Sequence, residues 1–185
     1  MYLMKKKMFV IPFRGLKEGK HQFDYVIEDT FFEVYQYEDI LGSNITVKLD
    51  FIKKSTILEL NFSAKGDVKL ACDLSNELFQ QPIAGELNLV VKFGEEYNDE
   101  NEEVLILPHE AYEIDVAQYI FEMIVLSLPS KRIHPGIIEG TLKSDILDKL
   151  KELQPKENKN NKFSDPRWDK LKELLTDKKY KDGTS

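Results

Sequence analysis

Residues 44–62 read NITVKLDFIKKSTILELNF. Ile45, Val47, Leu49 and Phe51 fall on alternate positions, and after Lys53 and Lys54 the alternation resumes in Leu58, Leu60 and Phe62. A period of two places every apolar side chain of such a run on one face of a strand, so the stretch predicts two half-buried antiparallel strands parted by a lysine-marked break. Outward from here the same sign recurs. Phe23, Tyr25 and Ile27 alternate after the turn-like LKEGK, with Gly15 and Gly19. Gly66 and Asp67 predict a tight turn into a strand carrying Val68, Leu70 and Cys72, and after Pro82 a further strand carries Leu87, Leu89, Val91 and Phe93. Consecutive antiparallel pairing is the simplest topology for these strands.

Residues 94–103, GEEYNDENEE, hold six acids and no base, which predicts a solvated loop before a last strand, VLIL, ended by Pro108. At Asp115 the period changes. Asp115 and Gln118 have the spacing of a capping box, and VAQYIFEMIVLSL runs apolar nearly all round until Pro129. This predicts a helix over 115–128, buried on more than one side. Beyond it lie the loop SKRIHPG and a helical spacing in Ile146, Leu150 and Leu153. The linker QPKENKNNKF and a short helix follow, the latter opened by Asp165 and Pro166 with Trp168, Leu171 and Leu175 on one stripe. The expected fold is α+β: an antiparallel β-sheet of five to seven strands that could be barrel-like, packed by one buried helix, with short C-terminal helices. Residues 1–142 form the expected β-rich core domain, and 143–185 a helical, partly flexible extension.

The net charge of −7 is unevenly spread. Residues 1–20 hold six bases and one acid (+5), 21–142 hold 8 bases and 23 acids (−15), and 143–185 hold 12 bases and 9 acids (+3). An acidic body argues against a surface that coats nucleic acid broadly, while the positive ends can touch phosphate locally. With one cysteine, no apolar leader after the early lysines and no apolar run of membrane-spanning length, a cytoplasmic protein is expected.

Catalytic and cofactor signatures are missing. No glycine-rich phosphate loop, HExxH or GxSxG is present, and His21, His109 and His134 lack ligand-like spacing. The expectation is therefore no enzyme, no cofactor and no metal. Cys72 could be a nucleophile, half of a metal site or a small buried hydrophobe; lying in phase with Val68 and Leu70 and next to Asp73, it reads as a core thiol whose neighbours would raise its pKa. Two places look more than structural. LPSKRIHP sets Lys131, Arg132 and His134 between Pro129 and Pro135, and DPRW pairs Arg167 with Trp168, which suits RNA bases or a protein hot spot.

Three stretches together resemble the YceD-like family of large ribosomal RNA subunit accumulation proteins, in its Bacteroidetes-type versions. They are IPFRGLKEGKHQFDYVIEDTFF, VKLACDLSNELFQQPIAGELNLVVKFG, and IDVAQYIFEMIVLSLPSKRIHP with DPRWDKLKELL, in the family's order. The family commonly has CxRCL in the middle stretch and further cysteines after the helix, suggesting a metal-binding knuckle. Here Cys72 matches the first cysteine, Leu74, Ser75 and Asn76 replace the rest, and no later cysteine occurs. The resemblance implies a cytoplasmic, non-enzymatic factor supporting accumulation of large-subunit rRNA. Arg14, Lys131, Arg132, His134, Arg167 and Trp168 would contact rRNA or a large-subunit ribosomal protein, with neither DNA nor membrane as a partner. The alternative is an interaction module or chaperone-like adaptor for a basic client, without RNA contact.

Overall fold

The computed structural model describes residues 7–142 and 145–153. The chain divides into two units, Met1–Ile146 and Leu147–Ser185. Eight strands lie in the first: β1 (Val10–Ile11), β2 (Gly19–Glu28), β3 (Gly42–Lys53), β4 (Ile57–Ala71), β5 (Leu78–Gly94), β6 (Asn98–Asn101), β7 (Val104–Pro108) and β8 (Ile114–Asp115). Six of them form one open sheet in the order β2-β3-β4-β5-β7-β6, and β1 pairs with β8 in a two-stranded ladder. The sheet does not close into a barrel.

The alternation that marked β3 and β4 sets the inner face. Ile45, Val47, Leu49 and Phe51 are buried beside Leu58, Leu60 and Phe62, and Tyr25 and Ile27 extend that face on β2. Each fully buried large apolar side chain contributes about 1.5–3 kcal/mol, so this face alone outweighs any surface contact in the molecule. The outer face stays polar. Helix α1 (Asp29–Val34) and helix α2 (Ala117–Leu126) belong to the covering layer, with Phe9, Ile11 and Phe13 from the N-terminal segment. Its aromatic side chains interlock: Tyr35 stacks on Phe121 at 4.1 Å, and Phe9 stacks on Tyr25 at 5.3 Å. The segment DTFFEV shows neither a clean alternation nor a cap, and its helix, burying Phe31 and Phe32, was not legible from pattern.

Several expectations are corrected. Gly66 makes no turn. It lies inside β4, where an added Cβ would stand 2.2 Å from the Asn44 carbonyl oxygen, so the glycine permits a close approach of the β3 backbone. Pro82 lies inside β5 rather than before it. The acidic segment is not all loop, since β6 pairs antiparallel with β7. Nor is pairing wholly consecutive and antiparallel, because β7 runs parallel to β5 from Val90↔Val104 to Gly94↔Pro108.

The capping box at α2 does not close. Asp115 Oδ1 accepts from the Ala117 N–H at 2.9 Å, while the Gln118 amide donates forward to Glu122 at 2.8 Å. The helix is buried on one side, through Ile120, Met123 and Ile124, and Leu126 is 84% exposed. Two short helices follow, α3 (Pro135–Ile138) and α4 (Asp145–Leu153). The linker and the Asp165 helix expected beyond them lie outside the described residues.

Candidate functional site

One of the two places singled out in the sequence, LPSKRIHP, meets the turn that follows Cys72 at one end of β4. Cys72 directly follows that strand, and the turn Cys72–Glu77 closes on itself through Cys72 N–H to Glu77 O and Asn76 N–H to Cys72 O, both 2.9 Å. Asn76 takes a φ of 58°, a left-handed conformation that asparagine tolerates better than most residues. Against this turn lies the segment after α2. The Asp73 N–H donates to Arg132 O at 2.8 Å, and the Arg132 N–H donates to Asp73 Oδ2 at 2.7 Å. The Arg132 guanidinium completes the tie with Asp73 Oδ1 at 3.3 Å and Asp39 Oδ2 at 3.0 Å. Burial is the largest single influence on the Arg132 pKa and lowers it, yet the hydrogen bond to Asp39 and the charges of Asp39 and Asp73 together outweigh burial and raise it.

His134 is equally engaged. Its backbone N–H donates to Cys72 Sγ at 3.3 Å, its Nδ1 accepts from the Gly136 N–H at 3.0 Å to cap α3, and its ring meets Phe79 edge-on at 5.6 Å. Cys72 is 3% exposed, so the reading as a core thiol agrees with its burial. The direction of its pKa is corrected, however. Burial is the largest influence and raises it, yet hydrogen bonds from Ser75, His134 and Leu74 together outweigh burial and lower it. The neighbour in sequence, Asp73, turns its carboxylate to Arg132 and away from the thiol's chemistry. A shallow depression beside the turn is lined by Asp39, Asp73, Ser75 and Arg132. Among the described residues, no group of three or more His, Cys, Asp or Glu is placed to hold a metal ion.

The other named cations are distributed differently. Lys131 is exposed next to the clamp. Arg14, exposed in the 3-10 turn Phe13–Gly15, sits at the opposite end of the sheet, where the Lys53 ammonium donates to the carbonyls of Phe13 at 2.9 Å and Leu16 at 2.7 Å. β4 separates these ends, and its 15 residues correspond to roughly 40–50 Å of strand. Arg14 and Lys131 therefore do not share one patch. Arg167 and Trp168 lie outside the described residues. The local sequence missed Asp39 and Asp73 as the partners of Arg132, because only the fold joins positions so far apart.

Between the two ends the outer sheet face is mixed in sign. Lys20 pairs with Asp50 at 2.9 Å, and the Gln22 amide donates to the same carboxylate at 2.8 Å. These bonds, led by that from Lys20, hold the Asp50 pKa below the usual carboxylate value.

An open sheet covered on one face, with its end loops tied by charge and hydrogen bonds, defines a two-layer α+β protein in which, among the described residues, the second sheet face is polar and uncovered. The chain belongs to the family described as Large ribosomal RNA subunit accumulation protein YceD, whose match covers residues 60–175 and thus more than half of the chain. No curated protein and no solved structure was found to match it. The family name places it in the accumulation of large-subunit ribosomal RNA.

Proposed function

We propose that the protein is a non-enzymatic, cytoplasmic factor that supports accumulation of large-subunit ribosomal RNA by binding a component of the assembling large subunit. The observation that carries this reading is the family match over residues 60–175, which includes both halves of the loop clamp. The clamp supports a scaffold role, since Arg132 and His134 are engaged in tying their segment to the turn at Cys72 and Asp73 and, through the Arg132 guanidinium, to Asp39. No helix among the described residues is long and apolar enough to cross a membrane.

Depletion of the protein followed by profiling of ribosomal subunits tests the role. A fall in large subunits and their rRNA relative to small subunits, restored by the intact chain, is the expected outcome. An unchanged ratio overturns it. A second reading, an adaptor for a basic protein client without RNA contact, is favoured by the −15 charge of residues 21–142. Under it, the purified protein binds a basic ribosomal protein and ignores rRNA fragments. Direct rRNA binding instead weakens steeply with salt and falls on charge reversal at Lys131.

A further inference from the structure

In an antiparallel strand the N–H and C=O of one residue point to the same side, and those of the next point to the other. On β5 the Val90 N–H donates to Glu103 O at 2.8 Å, towards β7, so the even-numbered positions face away from β4. Pro82 obeys the same parity and removes no donor from the β4 ladder. Ala84, Glu86 and Asn88 therefore aim three N–H and three C=O groups at the side where β7 would lie. β7 begins only opposite Val90. Among the described residues no strand pairs with that side of β5 before Val90, and all three residues are exposed.

Helix α2 runs close by. A Cβ added at Gly85 would meet Ser127 Cβ at 3.2 Å and Met123 Cγ at 3.3 Å, which places the end of α2 on the inner side of this stretch. Tyr119 lies close to Tyr97, in the segment beyond β5, and Leu126 follows it at helical spacing on the same flank of α2. Leu126 is the most exposed large apolar side chain of the described chain. The charge is one-sided: residues 77–103 hold eight acids against Lys92 alone, which is 1 − 8 = −7. Lysine on an edge normally blocks unwanted strand pairing. Here the only lysine, Lys92, lies where β7 already covers the strand.

We infer that the edge of β5 from Ala84 to Asn88 is a docking site for an extended, lysine- or arginine-rich polypeptide segment, which adds as a strand between this edge and the exposed flank of α2. Backbone hydrogen bonds provide the attachment, Leu126 an apolar contact for one alternate side chain, and the acids the selection for a basic sequence. A second copy of the chain would bring like charge against like, and the phosphates of RNA would meet the same acids. This inference deepens the role proposed above, which a basic ribosomal-protein segment would satisfy.

The test uses the full chain and a labelled peptide of about 12 residues alternating lysine with valine and threonine, a length that spans a typical strand. Saturable binding is expected, with slowed amide exchange at Ala84, Glu86 and Asn88. Glu86→Lys weakens it several-fold, and N-methylation of alternate peptide amides weakens it at least about tenfold without altering the protein. A glutamate-for-lysine peptide does not bind. Equal binding of the N-methylated probe overturns the inference. So does protection of these amides without peptide, whether concentration-dependent, as for a second copy, or not, as for a segment of this chain. Protection of the same amides by a large-subunit rRNA fragment also overturns it. The peptide result stands apart from subunit profiling: docking with a normal subunit ratio retains the edge site and removes the ribosomal role, and the converse removes only the edge site.

Discussion

The two ends of the long sheet use their cations in opposite ways. At the Asp73 end the arginine side chain itself is the tie, with its guanidinium on Asp39 and Asp73. At the Lys53 end a lysine gathers backbone carbonyls of the N-terminal segment, and the neighbouring Arg14 contributes its backbone while its side chain stays exposed. A basic residue in the sequence is thus a fastener at one end and a surface charge at the other. Counting cations overstates the surface available to phosphate.

The largest expected effect comes from breaking the frame between the ends. Gly66→Val drives side-chain carbon into the β3 backbone at Asn44 and Ile45 and is expected to cost more than about 3 kcal/mol, or to prevent folding, in a urea melt. Next come the fasteners. Asp73→Ala and Lys53→Met are each expected to lower stability by about 1–2 kcal/mol. Because the two sites share no partner and lie a strand length apart, the double variant should equal the sum of the singles within about 0.5 kcal/mol. A larger deviation would show that the ends are coupled through the sheet.

Alkaline pH probes the aromatic layer. Burial, reinforced by Asp115, pushes the pKa of Tyr25 and Tyr35 up to about 12 from 10.0. Between these values the unfolded phenols have lost protons that the folded ones keep, so stability falls with rising pH. Chemical melts should be level in this respect below about pH 10 and decline towards pH 12; Tyr25→Phe should flatten part of that slope. Smallest in stability is Lys131→Glu, expected to shift the melt by less than about 0.5 kcal/mol while changing only partner binding.

Much of this was legible and some was not, for separable reasons. The inner faces of β3 and β4 were readable because alternation reports burial directly. Gly66 was misread because glycine serves a turn and a close backbone approach equally, and only the neighbouring strand distinguishes them. The acidic run concealed β6, whose pairing depends on β7 rather than on its own propensity. Helix α1 was hidden by aromatic residues chosen for tertiary packing. At the clamp, Arg132 and His134 stood out by type. What they bond to, Asp39 and Cys72, is 93 and 62 positions away, a relation that no local pattern carries.

The small β1–β8 ladder has a temporal consequence. It joins Val10 to Asp115 and Ile11 to Ile114, whereas β2, β3 and β4 each pair with the strand that follows them in the chain. Closing so wide a loop is entropically expensive and rewarded by only two residue pairs, so the four-strand meander should assemble first and the latch last. Until the ribosome has delivered Ile114, the greasy Phe9, Ile11 and Phe13 have no β8 to anchor them, and a nascent chain would carry them unsheltered.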